Sequence, residues 1–499
     1  MKRSRGLTTR NLIANYIGRV WIGVVTLAMA PVYIHYMGAE SFGLIGVFMS
    51  IVGLAQVCDL GLSTTINKEL SLLSGKTGSA QESRDLLRTF EAVYWFIGAV
   101  LAMTIMAMAP WLSHRWFHLE TLNPKILQHA IMLMGLVLAA QWPSALYIGG
   151  LSGLERQVVL NIVLGIFISL EGFGGWAVLR FISPTITAFF LWQAGVQAAQ
   201  VATLAICLWA SLPAATKPAA RNWRLWLKHW HFAAGMTGIA ATVSLLTQMD
   251  KIVISKLLPL KELGYYTLAF TAATILSTSV SPIFVTMFPR FSKLALPQDE
   301  DALRSIYHGA CQMVAIIMLP AFAVLAVFPA SLLHFWIRDP MTIERVRPLV
   351  VFLATGTALN CLMTMPYALQ ISQGWTSLSF YKNIAALFVI LPLMLILVRR
   401  LGASGAAISW IVLNAGYIML EIPIMHSRLL KSEMFNWYFK DAARPAFIAF
   451  AVCFGGKWAL GANHAPTAMI IEAGALGICA ALGCLLSSPF ARHSFALKK

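Results

Sequence analysis

The sequence predicts an all-α polytopic membrane protein, and three observations carry that prediction. Hydrophobic residues make up 59% of the 499 residues and charged residues only 11%, against about a half and a quarter in soluble domains. Apolar runs of about 20 residues recur along the chain, each long enough at about 1.5 Å per residue to cross a hydrocarbon core about 30 Å thick. Strictly alternating segments of about ten residues, which a membrane barrel would need, do not occur.

About fourteen transmembrane helices are expected, near residues 10–36, 41–73, 86–110, 126–151, 158–180, 185–211, 232–257, 263–288, 305–330, 348–372, 380–398, 403–425, 444–460 and 466–488. They divide into a first six-helix lobe at 1–211, a basic linker at 212–231, a second six-helix lobe at 232–425, and two C-terminal helices with a tail at 426–499. An even count places both termini on one side. The basic start Met1-Lys2-Arg3-Ser4-Arg5 leads into the first span without a small-residue cleavage site, so this helix is expected to be retained, with both termini cytoplasmic. Roughly two in every three lysines and arginines then fall on the inner side, as the positive-inside rule requires. Arg399 and Arg400 fall on the other side.

The net charge of +17 does not imply nucleic acid, because the bases are spread through short loops and no soluble module exists to hold one. Between Ser211 and His231, Lys217, Arg221, Arg224 and Lys228 alternate with Trp223, Trp226 and Trp230. That pattern suits a short helix at the inner headgroup level. The seven cysteines all lie in apolar spans without metal-ligand spacing and read as small core hydrophobes. No metal site and no cofactor are expected.

An internal echo supports two lobes. Gly38-Ala39-Glu40-Ser41-Phe42-Gly43 joins spans one and two, and Pro259-Leu260-Lys261-Glu262-Leu263-Gly264 joins spans seven and eight. Each turn carries an acid, an apolar residue and then a glycine, and Gly43 and Gly264 lie 221 residues apart. A duplication of that length is of the kind found in transporters.

Polar groups inside the spans locate the candidate site. The stretch from Gln56 to Glu69 carries Asp59, Gly61, a Ser/Thr cluster, Lys68 and Glu69 within an apolar segment. A charge at the bilayer centre costs about 2.5 to 3.5 kcal/mol on insertion scales, so these groups need water or partners. A helix with its polar face on a wet cavity supplies both. Asp59 is read as a proton or cation site, or as the partner of a cavity base. Arg19 either snorkels to the inner interface or faces an anionic substrate. Asp250 and Lys251 are adjacent, point about 100° apart on a helix, and so are expected to need different partners. Glu171 precedes Gly172, Gly174 and Gly175, which permit close helix approach. Glu421, before Pro423, is buried in a similar way. His114 and His118 lie among Trp111, Trp116 and Phe117 and read as an interfacial belt, not a metal site.

Enzymatic readings find little support. Gly75-Lys76-Thr77 looks like the end of a phosphate-binding loop, but the required earlier glycine is Leu70, and no strand precedes it. No nucleophile-base-acid arrangement is evident.

With these residues in view, the chain resembles the polysaccharide transporter branch (Wzx-type O-antigen and capsule flippases) of the multidrug/oligosaccharidyl-lipid/polysaccharide exporter superfamily. The resemblance rests on Asn15, the run from Pro31 and Tyr33 through Met37-Gly38 to Phe42-Gly43, Asp59-Leu60-Gly61-Leu62 followed by Lys68, and the stretch from Asp250 to Gly264-Tyr265. It continues through Phe288-Pro289-Arg290-Phe291-Ser292-Lys293 and Leu401-Gly402-Ala403-Ser404-Gly405. It implies fourteen helices in two lobes around a central basic cavity, alternating between inward-open and outward-open states. It also implies an undecaprenyl-diphosphate-linked oligosaccharide as substrate, moved to the outer leaflet of the bacterial inner membrane with H+ or Na+ as coupling ion. A polysaccharide polymerase and a chain-length regulator are the implied partners. On this reading Arg19, Lys68, Lys251 and Arg290 bind the diphosphate, with Arg88 a lesser candidate, and Asp59, Asp250 and Glu171 serve coupling or gating. Lys68 stands where relatives often have arginine, which keeps the charge but loses the bidentate fork. Two other readings are a multidrug or metabolite cation antiporter and a membrane enzyme acting on lipid-linked sugars.

Overall fold

A backbone in hydrocarbon must satisfy its amides within its own segment, which leaves the helix as the available element for this sequence. The computed structural model describes residues 2–215, 217–221, 241–294, 300–460 and 466–488, except Leu60, Gly75 and Thr77. Among these the regular elements are helices, with a single isolated bridge between His118 and Pro259. Eleven helices are long and apolar enough to cross a membrane. The difference from the expected fourteen has identifiable sources. The first expected span and residues 41–55 of the second run as one helix, Lys2–Ala55, broken only at Gly38, whose φ of 79° and ψ of 162° are not helical. The helix Arg444–Leu460 has only 17 residues. Of the expected seventh span, residues 241–257 are a described helix and the rest lies outside the described residues, as do Trp223, Arg224, Trp226, Lys228 and Trp230 of the linker.

The chain forms two compact units, Met1–Gly264 and Tyr265–Lys499. In the first, Ala80–Trp111 packs on Pro124–Gln141, which packs on Ile186–Ser211, while Leu62–Ser74 lies along Ser144–Gly153. The core they enclose includes Leu62, Ile66, Leu70, Phe90, Tyr94, Leu146, Leu151, Leu204 and Leu208. Gly149 and Gly153 let this last pair close: an added Cβ would come within 2.5 Å of the Ser63 carbonyl oxygen and 2.4 Å of that of Asn67. The start of the linker is held against Ala80–Trp111, where Arg84 Nε donates to the Pro213 carbonyl at 2.8 Å and Ala220 N donates to Asp85 at 2.7 Å.

In the second unit, Ala403–Arg428 packs against both Pro340–Leu362 and Thr376–Leu401, and Glu300–Val327 packs against Pro340–Leu362, Arg444–Leu460 and Pro466–Ser487. Large side chains such as Phe388 at 75% and Phe447 at 75% exposure point away from the protein. Water would not tolerate so many such groups, whereas lipid does. The protein is a multi-pass membrane protein.

The acid of the first matched turn is buried and fully engaged. Glu40 is 6% exposed and its carboxylate accepts the backbone amides of Glu120, Thr121 and Leu122 at 2.7, 2.9 and 3.1 Å. This arrangement satisfies a buried charge with three donors and fixes the loop that precedes the helix Pro124–Gln141.

Candidate functional site

The polar stretch beginning at Gln56 is not one continuous helix. A 3-10 turn, Gln56–Asp59, follows Ala55, Gly61 takes φ 72°, and a new helix starts at Leu62. Glycine alone reaches that φ at no steric cost, and Asp59 then acts on the new helix from outside it. Its Oδ2 accepts the Ser63 hydroxyl at 2.7 Å, with a longer 3.4 Å contact from the Ser63 amide. Its Oδ1 accepts the Tyr94 hydroxyl. Thr64 and Thr65 return their hydroxyls to the Gly61 carbonyl at 2.7 and 2.9 Å. The Ser/Thr cluster is therefore committed to starting a helix, and Asp59 stands at a break in place of lining a regular helix face. Lys68, two turns on, is exposed.

Glu171 lies in a π-turn, Leu170–Gly174. Such a turn misaligns carbonyls, and the Tyr33 hydroxyl donates to those of Glu171 and Gly172 at 3.0 Å each. Gln197 Nε2 donates to the Glu171 carboxylate at 2.6 Å. The glycines allow close approach as expected: a Cβ on Gly172 would meet Val25 at 2.6 Å, and one on Gly174 would meet Trp192 at 2.3 Å.

Asp250 and Lys251 pair with each other, although adjacent positions on a helix point about 100° apart. The long lysine stem folds back, placing Nζ 3.4 Å from Asp250 Oδ1, while the Lys251 amide donates to the same oxygen at 2.8 Å. Four flexible bonds overcome the angular separation of their Cβ atoms. The Lys251 side chain is only 1% exposed. Of the four bases read as diphosphate ligands, Arg19 and Lys68 are exposed in the first unit, Arg290 is exposed in the last turn of Leu260–Lys293 in the second, and Lys251 is withdrawn into an ion pair. An apolar groove of about 640 Å³ runs between Ile17, Gly18 and Trp21 on one side and Ile162, Ile166 and Phe173 on the other.

The sequence reading did not pair Arg88 with Glu91 or Lys382 with Glu421, and it did not find the cluster of Arg304, His308, Glu433 and Asp441. Glu91, 6% exposed, accepts Tyr147 Oη at 3.0 Å and Trp209 Nε1 at 2.7 Å, and pairs with Arg88 at 3.2 Å. The i,i+3 spacing of Arg88 and Glu91 was its only readable signal. In the second unit Lys382 Nζ pairs with Glu421 Oε2, with side chains 17% and 2% exposed. The ammonium lies 4.4 Å from the ring centroid of Tyr417 and 5.8 Å from that of Tyr367. Tyr417 in turn donates to Asn383 at 3.0 Å. Lys382 reads in sequence as a base at the inner end of the span 380–398, and nothing local couples it to an acid 39 residues away.

No group of three or more metal-binding side chains is found among the described residues. The arrangement offers exposed bases, and buried acids held by hydrogen bonds or ion pairs, within a membrane-spanning helical scaffold. Comparison with known proteins agrees with that class. The fold matches that of a solved structure titled "Lipid II flippase MurJ, inward closed conformation" with a TM-score of 0.72 over 98% of this chain and 100% of that one, at 13% identity. It also matches an inward-facing multidrug resistance MATE family transporter of the MOP superfamily, with a TM-score of 0.66 over 84% of this chain and 99% of that one, at 13% identity. A Shigella flexneri protein named "Putative O-antigen transporter" is 20% identical over 404 residues, 80% of this chain and 93% of its own. Residues 36–338 match the family model described as polysaccharide biosynthesis protein, and the chain belongs to that family. The resemblance read from the sequence is thus borne out in family and in fold.

Proposed function

We propose that this protein carries undecaprenyl-diphosphate-linked oligosaccharide from the cytoplasmic to the outer leaflet of the bacterial inner membrane. It does so by alternating access and without covalent change to the substrate, driven by an ion gradient. The observation that carries this reading is the family membership of residues 36–338 combined with the exposed bases Arg19, Lys68 and Arg290 in an otherwise apolar chain. A diphosphate leaves the headgroup region only where cations replace its hydration, and sugars need polar surroundings while the lipid tail stays in hydrocarbon. Lys251 joins the diphosphate ligands once Asp250 releases it, and Asp59, Asp250 and Glu171 act as coupling or gating groups. Two lobes, 1–211 and 232–425, move about the 212–231 linker, with both termini cytoplasmic. The product would feed a polysaccharide polymerase and its chain-length regulator.

The test is flipping of a fluorescent undecaprenyl-diphosphate oligosaccharide by purified protein in liposomes. Dye or substrate accessible in the opposite leaflet and chemically unchanged is the expected result. Efflux of organic cations with no lipid movement would instead identify a cation antiporter, and a covalently altered lipid would identify an enzyme.

A further inference from the structure

The buried ion pair of the second unit is built differently from the other charged clusters. Asp59 has donors on both carboxylate oxygens, and so does Glu91. Glu421 has a donor on Oε2 alone: its Oε1 is buried and makes no hydrogen bond. A carboxylate that leaves a lone pair unmet inside a protein is in a costly state. Adding one proton to Oε1 removes the negative charge.

We propose that Lys382 and Glu421 form a proton-binding site that couples transport to a proton gradient. Uptake of one proton at Glu421 takes the pair from neutral to a net charge of +1, and its release restores the ion pair. The ammonium then keeps a neutral carbonyl acceptor and the faces of Tyr417 and Tyr367, a weaker hold than a carboxylate. The two residues sit on neighbouring helices, Thr376–Leu401 and Ala403–Arg428, so protonation loosens one helix against the other. Lys382 retains accessible surface, which gives protons a route in. A metal cation does not suit the site, because the ammonium already occupies the carboxylate.

The groups facing Glu421 are few. Tyr367 comes from Thr364–Ser372, Lys382 and Asn383 from Thr376–Leu401, and Tyr307 from Glu300–Val327, while Tyr417 and His426 share its own helix. Pro340–Leu362 runs parallel to that helix, with Thr357 against Trp410 and Asn360 against Asn414. Its charged residues Glu344, Arg345 and Arg347 are therefore at the far end. His426 is engaged by Tyr307 and by the Ile422 carbonyl.

This inference rests on the transport reading above, and the experiment separates the two. Flipping in liposomes is measured with and without a transmembrane pH difference, and the ratio of the two rates is the readout. Wild type is expected to respond to the gradient, while Glu421→Gln and Lys382→Met are both expected to lose the response. Glu421→Gln keeps the shape and an acceptor for Lys382 but cannot take up the proton, and Lys382→Met removes the ammonium whose hold the proton would loosen. In parallel, an infrared pH titration of the purified protein is expected to show a protonated-carboxyl band that Glu421→Gln removes. A Glu421→Gln protein that keeps the full gradient response overturns the proposal, as does a titration in which no band depends on Glu421. Absence of flipping in wild type at any pH would overturn the transport reading, while the infrared titration would still decide whether the pair binds a proton.

Discussion

Gly43 and Gly264 lie against each other, each filling the gap that the other's helix leaves. A Cβ on Gly264 would stand 1.9 Å from the Ala39 carbonyl oxygen, and one on Gly43 would stand 2.4 Å from that of Leu260. Ala39 and Leu260 are separated by the same 221 residues as Gly43 and Gly264. The contact is thus reciprocal between the two matched turns, which a duplicated segment packing on its copy explains.

Neither glycine should accept a side chain. Gly264→Ala is expected to cost about 1–3 kcal/mol, the usual range for overpacking, read as a lower melting temperature in detergent. Gly416→Ala is the control, because a Cβ there meets nothing within 4 Å, and it should be neutral or slightly stabilising.

Glu91 should prove a structural carboxylate. Tyr147→Phe removes one neutral donor and is expected to cost about 0.5–1.5 kcal/mol. Glu91→Ala strands Tyr147 and Trp209 together and should cost more than either partner's loss. Thermal unfolding of Tyr147→Phe, Trp209→Phe and Glu91→Ala checks the order.

The exposed bases should behave in the opposite way. Arg19→Ala, Lys68→Ala and Arg290→Ala are expected to leave melting within about 0.5 kcal/mol of wild type. Each should weaken binding of a diphosphate lipid by about tenfold, the scale of one charge-assisted hydrogen bond. Lys251→Ala should instead lower stability first, since it leaves Asp250 buried without its ammonium. Unchanged flipping in the three surface variants, or equal flipping of an uncharged lipid analogue, would refute the assignment.

Acid should weaken the tie between Glu433 and the helix Glu300–Val327. Glu433 forms ion pairs with Arg304 and His308, at 3.1 Å each. Burial pushes its carboxyl up, but the Asn436 hydrogen bond and the His308 and Arg304 charges hold it below the ordinary 4.5. A lowered value means that its contribution is complete above about 4.5 and is lost as pH falls through the lowered value. Glu433→Gln should therefore flatten the acid end of the stability profile while changing little of its shape near neutrality.

The matched turns, the close-packed glycines after Glu171 and the helical membrane class were all legible, because each depends on local composition or on spacing along the chain. The Lys382–Glu421 pair was nearly so. Lys382 lies twenty residues before Gly402 and Glu421 nineteen after it, and residues equidistant from a tight turn between antiparallel helices come opposite one another. What hid the pair was the position of Lys382 at the very start of the expected span 380–398, where a base reads as an inner-end anchor.

The sequence by itself determined that this chain crosses a membrane many times as helices, because the cost of exposing backbone and charge to lipid is set by composition over some twenty residues. It also marked which polar groups had to be accounted for. Only the tertiary structure decided how each is satisfied. Asp59 starts a helix and meets Tyr94, Lys251 bends back on its neighbour, and Lys382 finds Glu421. Hydrogen bonds act over about 3 Å, and which donor comes that close to which acceptor is fixed by helix packing, not by the order of residues along the chain.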